Sequence, residues 1–301
     1  MPAVSIVIVN WNAGPALARA VATSCAASDD VVVVDNGSAD GSLEAVMPAP
    51  ALRVVAAGRN LGFAGGINQG VRLARHPHLL ILNPDAEAPP ASVARLSATL
   101  AETDAAIAGG RLVNPDGSTQ AGFTVRRLPT LASLVADALF VDHLWPGNPA
   151  TRHYLGADLD LEGGGPIDVE QPAAACLMVT RDAFDRLGGL DETFYPAWFE
   201  DVDFCARAHR HRLRVVFEPR ATFPHVGGVS VKTLGAGAFV RIFHRNQARY
   251  VSRHLGTPSR IVLTPCWMAG LAARAVAAQV SGRRADAVSL WRAVGDCVSR
   301  A

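Results

Sequence analysis

The sequence predicts an α/β fold: a mostly parallel sheet flanked by helices, followed by a helical C-terminal tail. Three observations carry the prediction. Short apolar runs alternate with helix-length segments through the first third of the chain. The runs Val31 to Val34 and Leu79 to Leu82 are apolar at every position, and Val4 to Val9 is broken only by Ser5; such runs suit strands buried on both faces of a sheet. Each run stops at a cluster of turn and cap residues, as strand-to-helix connections require.

The elements follow in order. The first strand, Val4 to Val9, runs into the loop Asn10-Trp11-Asn12-Ala13-Gly14-Pro15 and a helix from about Ala16 to Ala26. Asp29 and Asp30 turn the chain into the second strand, whose β-branched valines favour a pleated surface. That strand ends in Asp35-Asn36-Gly37-Ser38-Ala39-Asp40-Gly41-Ser42, rich in residues that bond nearby backbone N–H groups; a short helix is expected next. Leu52 to Ala56 forms a third strand, and Arg59-Asn60-Leu61-Gly62-Phe63-Ala64-Gly65-Gly66 opens a helix reaching about Arg75. The glycines do not fit G-x-G-x-x-G and follow the third strand, not the first, which excludes a dinucleotide fingerprint. They leave two readings: a helix N-terminus facing a phosphate, or close packing of helix on sheet.

The fourth strand carries the clearest chemistry. Leu79 to Leu82 stops at Asn83-Pro84-Asp85, because proline cannot donate to a sheet ladder. Asp85 therefore stands just past the carboxyl end of a central strand, where open α/β sheets bind ligands. It is either a metal ligand at a phosphate-bearing substrate or the opening of a turn before Pro89 and Pro90. A helix from Ser92 to Glu102 and a strand-like run from Ala105 to Val113 lead to a second Asn-Pro-Asp, at Asn114-Pro115-Asp116. Gly117 and Ser118 follow directly, so this copy reads as a hairpin turn before a strand around Thr119 to Val125, with no chemistry of its own.

Leu128 to Glu162 mixes proline, tryptophan and polar residues and reads as a loop over a site. Asp168 to Thr180 suits a returning strand with small residues, and Arg181 to Leu187 a helix closed by Gly188 and Gly189. A second chemical cluster, Trp198-Phe199-Glu200-Asp201-Val202-Asp203-Phe204-Cys205, starts a helix near Glu200. There Asp203 and Arg207 make an i,i+4 pair, a structural use. Glu200 and Asp201 either complement the helix dipole or, beside the apolar wall of Trp198 and Phe199, gain the raised pKa of a general base. A strand at Val215 to Phe217 leads to Phe223-Pro224-His225. A lone histidine is commonly structural, but this one follows two carboxylate sites on one core.

Composition bounds the function. Of 301 residues, 50% are hydrophobic and 18% charged, which supports a large core and excludes disorder. A net charge of +1 gives no argument for nucleic-acid binding, and none is expected. Arginine carries nearly all positive charge, Lys232 being the only lysine. The five cysteines, with no C-x-x-C spacing, suit reduced cytosolic thiols and not a zinc site. No basic n-region precedes the first strand, so no secretory signal is expected. The apolar tract Ile261 to Val280 is interrupted by Pro265, Arg274 and Gln279 and reads as a poor spanning helix.

Taken together, VSIVIVNWN, VVVVDNGSADGS, NLGFAGGINQG, LLILNPDA, FEDVDFCAR and the His225 segment resemble, in order, the inverting glycosyltransferases of family 2, in the branch containing bacterial rhamnosyltransferases. The resemblance spans roughly Val4 to Ser230. It implies a GT-A fold, a Rossmann-like nucleotide-sugar-binding sheet. A catalytic domain would cover 1–230, with a nucleotide-binding half to about 110 and an acceptor-binding half beyond it, and a helical region would cover 231–301.

By position, the resemblance implies that Asn10 and Trp11 border the nucleotide base and that Asp35 accepts the pyrimidine N3–H. Arg59, Asn60 and Gly62 would lie along the sugar and diphosphate. Asp85 matches the last Asp of the family's D-x-D motif and would hold Mg²⁺ or Mn²⁺ with His225; Asn83 replaces the first Asp. Asp201 matches the catalytic base, with Glu200 beside it, and Trp198 an acceptor-pocket residue. The implied donor is a dTDP- or UDP-sugar, with a rhamnose-like deoxysugar favoured. The implied acceptor is a glycan or polyprenyl-linked hydroxyl in cell-envelope polysaccharide synthesis, at a cytoplasmic location. Two alternatives are a sugar-phosphate nucleotidyltransferase, which would want a glycine- and cation-rich loop after the first strand, and a non-catalytic nucleotide-sugar-binding protein.

The tail has its own pattern. Phe239 to Leu255 reads as a helix carrying Arg241, Arg245, Arg249 and Arg253 along one gently spiralling stripe. A last helix would turn Val288, Trp291, Val294 and Val298 to one side. These features suit either helices packed on a core with a solvated arginine face, or an interfacial tail over 239–298 peripheral to an anionic membrane surface, with Trp267, Met268 and Trp291 dipping into it.

Overall fold

The computed structural model describes residues 3–227 and 236–299, with the side chains of residues 236, 298 and 299 outside that description. Val298, assigned above to a helix face, thus lies outside the described side chains. The chain divides into two compact units: Met1–Arg126 with Leu159–Pro196 and Glu200–Ser230, and Arg127–Asp158 with Ala197–Phe199 and Val231–Ala301.

The first unit is built on an eight-stranded sheet. Strands β1 (Val4–Asn10), β2 (Val31–Asp35), β3 (Leu52–Ala56) and β4 (His78–Leu82) are parallel in the order β3-β2-β1-β4. Beyond β4 comes β9 (Cys176–Thr180), antiparallel to both β4 and β5 (Ile107–Val113). The sheet continues through β10 (Val215–Pro224), parallel to β5, and ends on β7 (Ile167–Asp168), antiparallel to β10. A two-stranded ribbon pairs β6 (Val125–Arg126) with β8 (Gln171–Pro172).

Strand alternation sorts the core onto two faces. Ile6, Ile8, Val31, Val33, Leu80, Leu82 and Met178 join one cluster with Leu17 and Val21 of α1 (Ala16–Ala27) and Leu96 and Leu100 of α3 (Pro90–Thr103). Val7, Val9, Leu79, Ile81, Leu177 and Val179 join the other with Ile67 of α2 (Gly62–Leu73), Phe184 of α7 (Arg181–Arg186) and Phe204 of α8 (Glu200–Arg210). Helices on both faces explain why the central runs carry no polar alternation. Gly70 marks a close approach of α2, since a Cβ there would stand inside contact distance of Val7.

Four expectations need correction. Residues 41–45 form turns and not a short helix; the loop side chains are drawn into bonds with the strand ends, as described below. The strand around Thr119 to Val125 reduces to a single bridge, Val113 to Thr119, and the two-residue β6. Residues 128–162 are not a loop, because they carry α4 (Leu131–Ala138), α5 (Val141–Leu144) and α6 (Pro149–Tyr154). Helix α4 starts in a reciprocal Thr130–Ser133 capping box, with serine in place of the usual Glu or Gln.

The fourth concerns the second unit, where α4 packs with α9 (Ala236–His254), α10 (Gly256–Val280) and α11 (Arg284–Ser299) around Leu134, Val251, Leu263, Trp267, Leu271, Ala275 and Leu290. Trp267 is 2% exposed, so it belongs to this core and cannot dip into a membrane. The buried side of α11 is Ala287, Leu290 and Ala293, while Val288 and Trp291 are exposed. Helix α10 continues through Pro265 for 25 residues and is long and apolar enough to cross a membrane by length and composition, with 33% of its most apolar window buried. Gly270 lets it approach the carbonyl of Ala138 in α4, where a Cβ would collide.

Candidate active site

The site residues of the first unit gather at the carboxyl ends of the parallel strands. Asn10 ends β1 and Asp35 ends β2, paired in register. Asn10 is fully buried, and its Nδ2 donates to Asp35 Oδ1 at 2.9 Å and reaches Ser38 and Ser42 Oγ at 2.9 and 2.8 Å. The second oxygen of Asp35 accepts from Gly37 N and Ser38 N, each at 3.2 Å. One amide thus ties two strand ends to the loop that was expected to continue as a helix. A ligand reaching Asp35 meets a carboxylate already held by Asn10 and two backbone donors. Trp11 is half-buried and Arg59 exposed beside this corner.

Asn60 and Gly62 shape the next turn. Asn60 Oδ1 accepts from Gly62 N at 2.7 Å, and Gly62 has φ of +76°. A Cβ at Gly62 would stand 2.8 Å from the carbonyl oxygen of Pro196, so this glycine serves both backbone conformation and packing. Asn36 Nδ2 holds the Gly62 carbonyl at 2.9 Å.

Asp85 and His225, 140 positions apart, meet because the end of β10 docks on the turn after β4. Ala86 and His225 form an antiparallel bridge, and Val226 N donates to the Asp85 carbonyl at 3.1 Å. His225 Nε2 then stands 3.3 Å from Asp85 Oδ1, with both side chains nearly buried, and that nitrogen makes no hydrogen bond. A buried, unbonded ring nitrogen beside a carboxylate suits a divalent cation, with the remaining positions left to phosphate oxygens and water. Among the described residues no cluster of three or more His, Cys, Asp or Glu surrounds a common point. The ring is stacked on Phe123, centroids 5.4 Å apart at 6°.

The base candidate is tied to the same strand ends. Asn83 N donates to Ala175 O at 3.0 Å, and the adjacent Ala174 N donates to Asp201 Oδ2 at 3.3 Å. Gln171 Nε2 adds a third-neighbour contact to that oxygen at 3.3 Å, and Val202 N donates to Asp201 Oδ1 at 2.8 Å. Burial raises the Asp201 pKa, opposed by the Ala174 and Val202 amides and the nearby Arg126 charge. Glu200 is 5% exposed and its Oε2 has no hydrogen-bond partner. Burial, and then the Asp201 charge, push its pKa well above the usual carboxylate range. Burial thus raises the pKa of both neighbouring carboxyls, Glu200 the more strongly. Asp203 is paired with Arg207 at 2.8 Å, the structural use expected for it.

Trp198 belongs to the second unit. Its ring meets Phe239 edge-on at 4.7 Å, and Phe199 contacts Phe243 and Tyr250. Trp198 and Phe199 both have positive φ, at 74° and 75°, a costly state for bulky residues. The buried Asn246 holds it by donating to the carbonyls of Ala197 and Trp198, at 2.8 and 3.3 Å. Gln120, Gln171 and Arg126, which touch or influence the site, carried no signal in sequence, since isolated amides and one arginine among many form no pattern.

The comparisons agree with this architecture. The profile of Glycosyl transferase family 2 matches residues 5–152. The chain is 30% identical over 240 residues to an N-acetylglucosaminyl-diphospho-decaprenol L-rhamnosyltransferase of Mycobacterium tuberculosis, covering 73% of this chain and 75% of that one. It is 26% identical over 215 residues to a low-salt glycan biosynthesis hexosyltransferase of Haloferax volcanii, covering 70% and 63%. A mannosyltransferase of Pyrobaculum calidifontis solved with GDP-Man and Mn²⁺ superposes with a TM-score of 0.56 at 17% identity, covering 99% and 87%. The chain belongs to glycosyltransferase family 2, in its rhamnosyltransferase-like branch, and has the GT-A fold. It is therefore an enzyme that transfers a sugar, and the nucleotidyltransferase and non-catalytic alternatives fall away.

Proposed function

We propose that this enzyme is a metal-dependent inverting glycosyltransferase. It moves a sugar, with a rhamnose-like deoxysugar favoured, from a dTDP- or UDP-sugar to a hydroxyl of a glycan or lipid-linked acceptor in cell-envelope polysaccharide synthesis. The observation that carries this reading is the link from the Asp85–His225 pair, through the ends of β4 and β9, to the half-buried Asp201 carboxylate. Asn10, Trp11 and Asp35 would border the base, and Arg59, Asn60, Gly62 and Asn83 the sugar and diphosphate. Asp85 and His225 would hold Mg²⁺ or Mn²⁺, which supplies charge neutralisation at the departing nucleoside diphosphate.

Asp201 takes the proton of the acceptor hydroxyl as that oxygen bonds to the anomeric carbon. The bond from that carbon to the diphosphate oxygen breaks, and its electron pair leaves with the nucleotide. A single displacement needs one base and inverts the anomeric centre. Glu200 adjoins Asp201, its own pKa raised by burial, and Trp198 would offer an apolar face to the acceptor. The test is nucleotide release from a panel of dTDP- and UDP-sugars with a lipid-diphosphate sugar acceptor. Release from one nucleotide sugar, and none from nucleoside triphosphate plus sugar phosphate, is expected; release from none of the panel would contradict the donor reading.

The second unit supports a peripheral cytoplasmic position at an anionic membrane surface. Arg245, Arg249 and Arg253 of α9 line one groove with Arg260 of α10, and Arg241 of the same helix reaches Asp296 at 2.8 Å. Ile261, Val262, Val280 and Trp291 are exposed apolar side chains of the same helices and α11, a combination that suits interfacial binding.

A further inference from the structure

The second Asn-Pro-Asp stretch, read above as a turn without chemistry, is joined by an unbroken chain of hydrogen bonds to His225. The turn itself is as expected, closed by Asn114 N to Ser118 O at 2.9 Å and Gly117 N to Asn114 O at 2.9 Å. Its side chains go further. Ser118 Oγ donates to Asp116 Oδ1 at 2.5 Å, Asn114 Nδ2 donates to Ser118 Oγ at 3.0 Å, and Gln120 Nε2 donates to Asn114 Oδ1 at 3.0 Å and to the His225 carbonyl at 2.7 Å. Gln120 Oε1 lies 2.8 Å from His225 Nδ1.

Two fixed acceptors leave only one direction for this chain. An ionised Asp116 accepts and cannot donate, so the serine hydroxyl must point at it, and the serine oxygen then takes the Asn114 amide. The backbone carbonyl of His225 likewise cannot donate, so the Gln120 nitrogen must face it. Both arguments put Gln120 Oε1 against Nδ1. An amide oxygen accepts only, so Nδ1 carries a ring proton, and in the neutral ring the lone pair is then on Nε2. That nitrogen is the one facing Asp85 at 3.3 Å. The stack on Phe123 holds the plane of the ring.

We propose that the Asn114–Gln120 turn is a tautomer clamp, with Gln120 as the positioning residue that holds His225 in its Nδ1–H form and reserves Nε2 for a divalent cation. The cation part rests on the metal reading given above; the tautomer part does not. Orienting partners of this kind contribute about 10–100-fold to metal affinity.

The experiment uses the full chain with nitrogen-15 histidine, and compares wild type with Q120L and Q120E. Long-range proton–nitrogen correlation reads the His225 tautomer without metal, and electron paramagnetic resonance titration reads the affinity for Mn²⁺ alone. Wild type is expected to show a protonated Nδ1 and a bare Nε2. Q120L, apolar and unable to accept, is expected to mix tautomers and to bind Mn²⁺ about 10–100-fold more weakly. Q120E keeps the acceptor and is expected to keep the wild-type tautomer and at least the wild-type affinity. A wild-type spectrum with the proton on Nε2, or a Q120L variant unchanged in both readouts, would overturn the clamp. A wild type with the Nδ1–H tautomer that binds no Mn²⁺ would overturn the metal reading and leave the clamp standing.

Discussion

Replacing Asp201 by asparagine separates its chemical role from its structural one. The carboxylate accepts from Ala174 N and Gln171 Nε2 on one oxygen and from Val202 N on the other. Asparagine has one oxygen to offer. If it takes the Oδ2 position, its NH₂ group faces the Val202 N–H across 2.8 Å, donor against donor. The structural cost is one lost hydrogen bond and one unsatisfied buried donor, about 1–3 kcal/mol. The chemical cost is larger. An amide cannot take a proton, and loss of a general base lowers turnover about 10²–10⁴-fold, equivalent to about 3–5 kcal/mol of barrier. Turnover should fall by that factor while the dissociation constant of the donor nucleotide stays within about threefold, since no step of nucleotide binding uses this proton. The wild-type acid limb should lie above the usual Asp value, because burial raises the Asp201 pKa and the ionised form is the active one. Turnover then falls as pH drops through that raised value. Steady-state kinetics, nucleotide titration calorimetry and a melting curve read the three quantities. An unchanged turnover in Asp201→Asn, with a collapse in Asp203→Asn, would refute the assignment.

Other perturbations probe the rest of the site. Asp85→Ala should abolish divalent-dependent turnover and leave the melting temperature within a few degrees, since a strand-end carboxylate supports no apolar packing; wild-type turnover in excess chelator would contradict it. Gly62→Ala must adopt φ of +76° and push a Cβ to within 2.8 Å of the Pro196 oxygen; a loss of at least about 2 kcal/mol is expected by denaturant titration, and wild-type stability would contradict the strain argument. Glu200 has its folded pKa raised, so its contribution to stability is complete below the unfolded value of about 4.3 and is lost as pH rises through the folded one. Glu200→Gln should therefore melt increasingly above wild type as pH rises from about 5 to 8, and parallel melting curves would contradict this. Co-sedimentation with anionic vesicles should weaken with salt and fall when Arg245 and Arg249 become Gln; a protein left in the supernatant at low salt would remove the membrane proposal alone.

Strands β1, β2 and β4 were legible because they are buried on both faces, which writes nearly continuous valine, isoleucine and leucine runs into the chain. The Asp203–Arg207 pair was legible for the same local reason, a spacing that one helix turn dictates. What was not legible depends on distant pairing. The helices of residues 131–154 are short, and the apolar side of α4 is defined by α9, α10 and α11. Trp267 looked available to a membrane because its burial comes from partners outside its own helix. The second Asn-Pro-Asp looked like turn chemistry alone because Gln120 meets His225 across 105 residues. Loop side chains such as Ser38 and Ser42 were read as helix caps, whereas the buried Asn10 claims them.

The most direct test of the account is the product itself. Wild-type enzyme, its dTDP- or UDP-sugar donor and a lipid-diphosphate acceptor would be run with chelator, and then with Mn²⁺ restored, and the new glycosidic linkage read by proton NMR. The account predicts no product in chelator, recovery with Mn²⁺, and an anomeric configuration opposite to that of the donor. Full turnover in chelator, or a linkage that retains the donor's configuration, would contradict it.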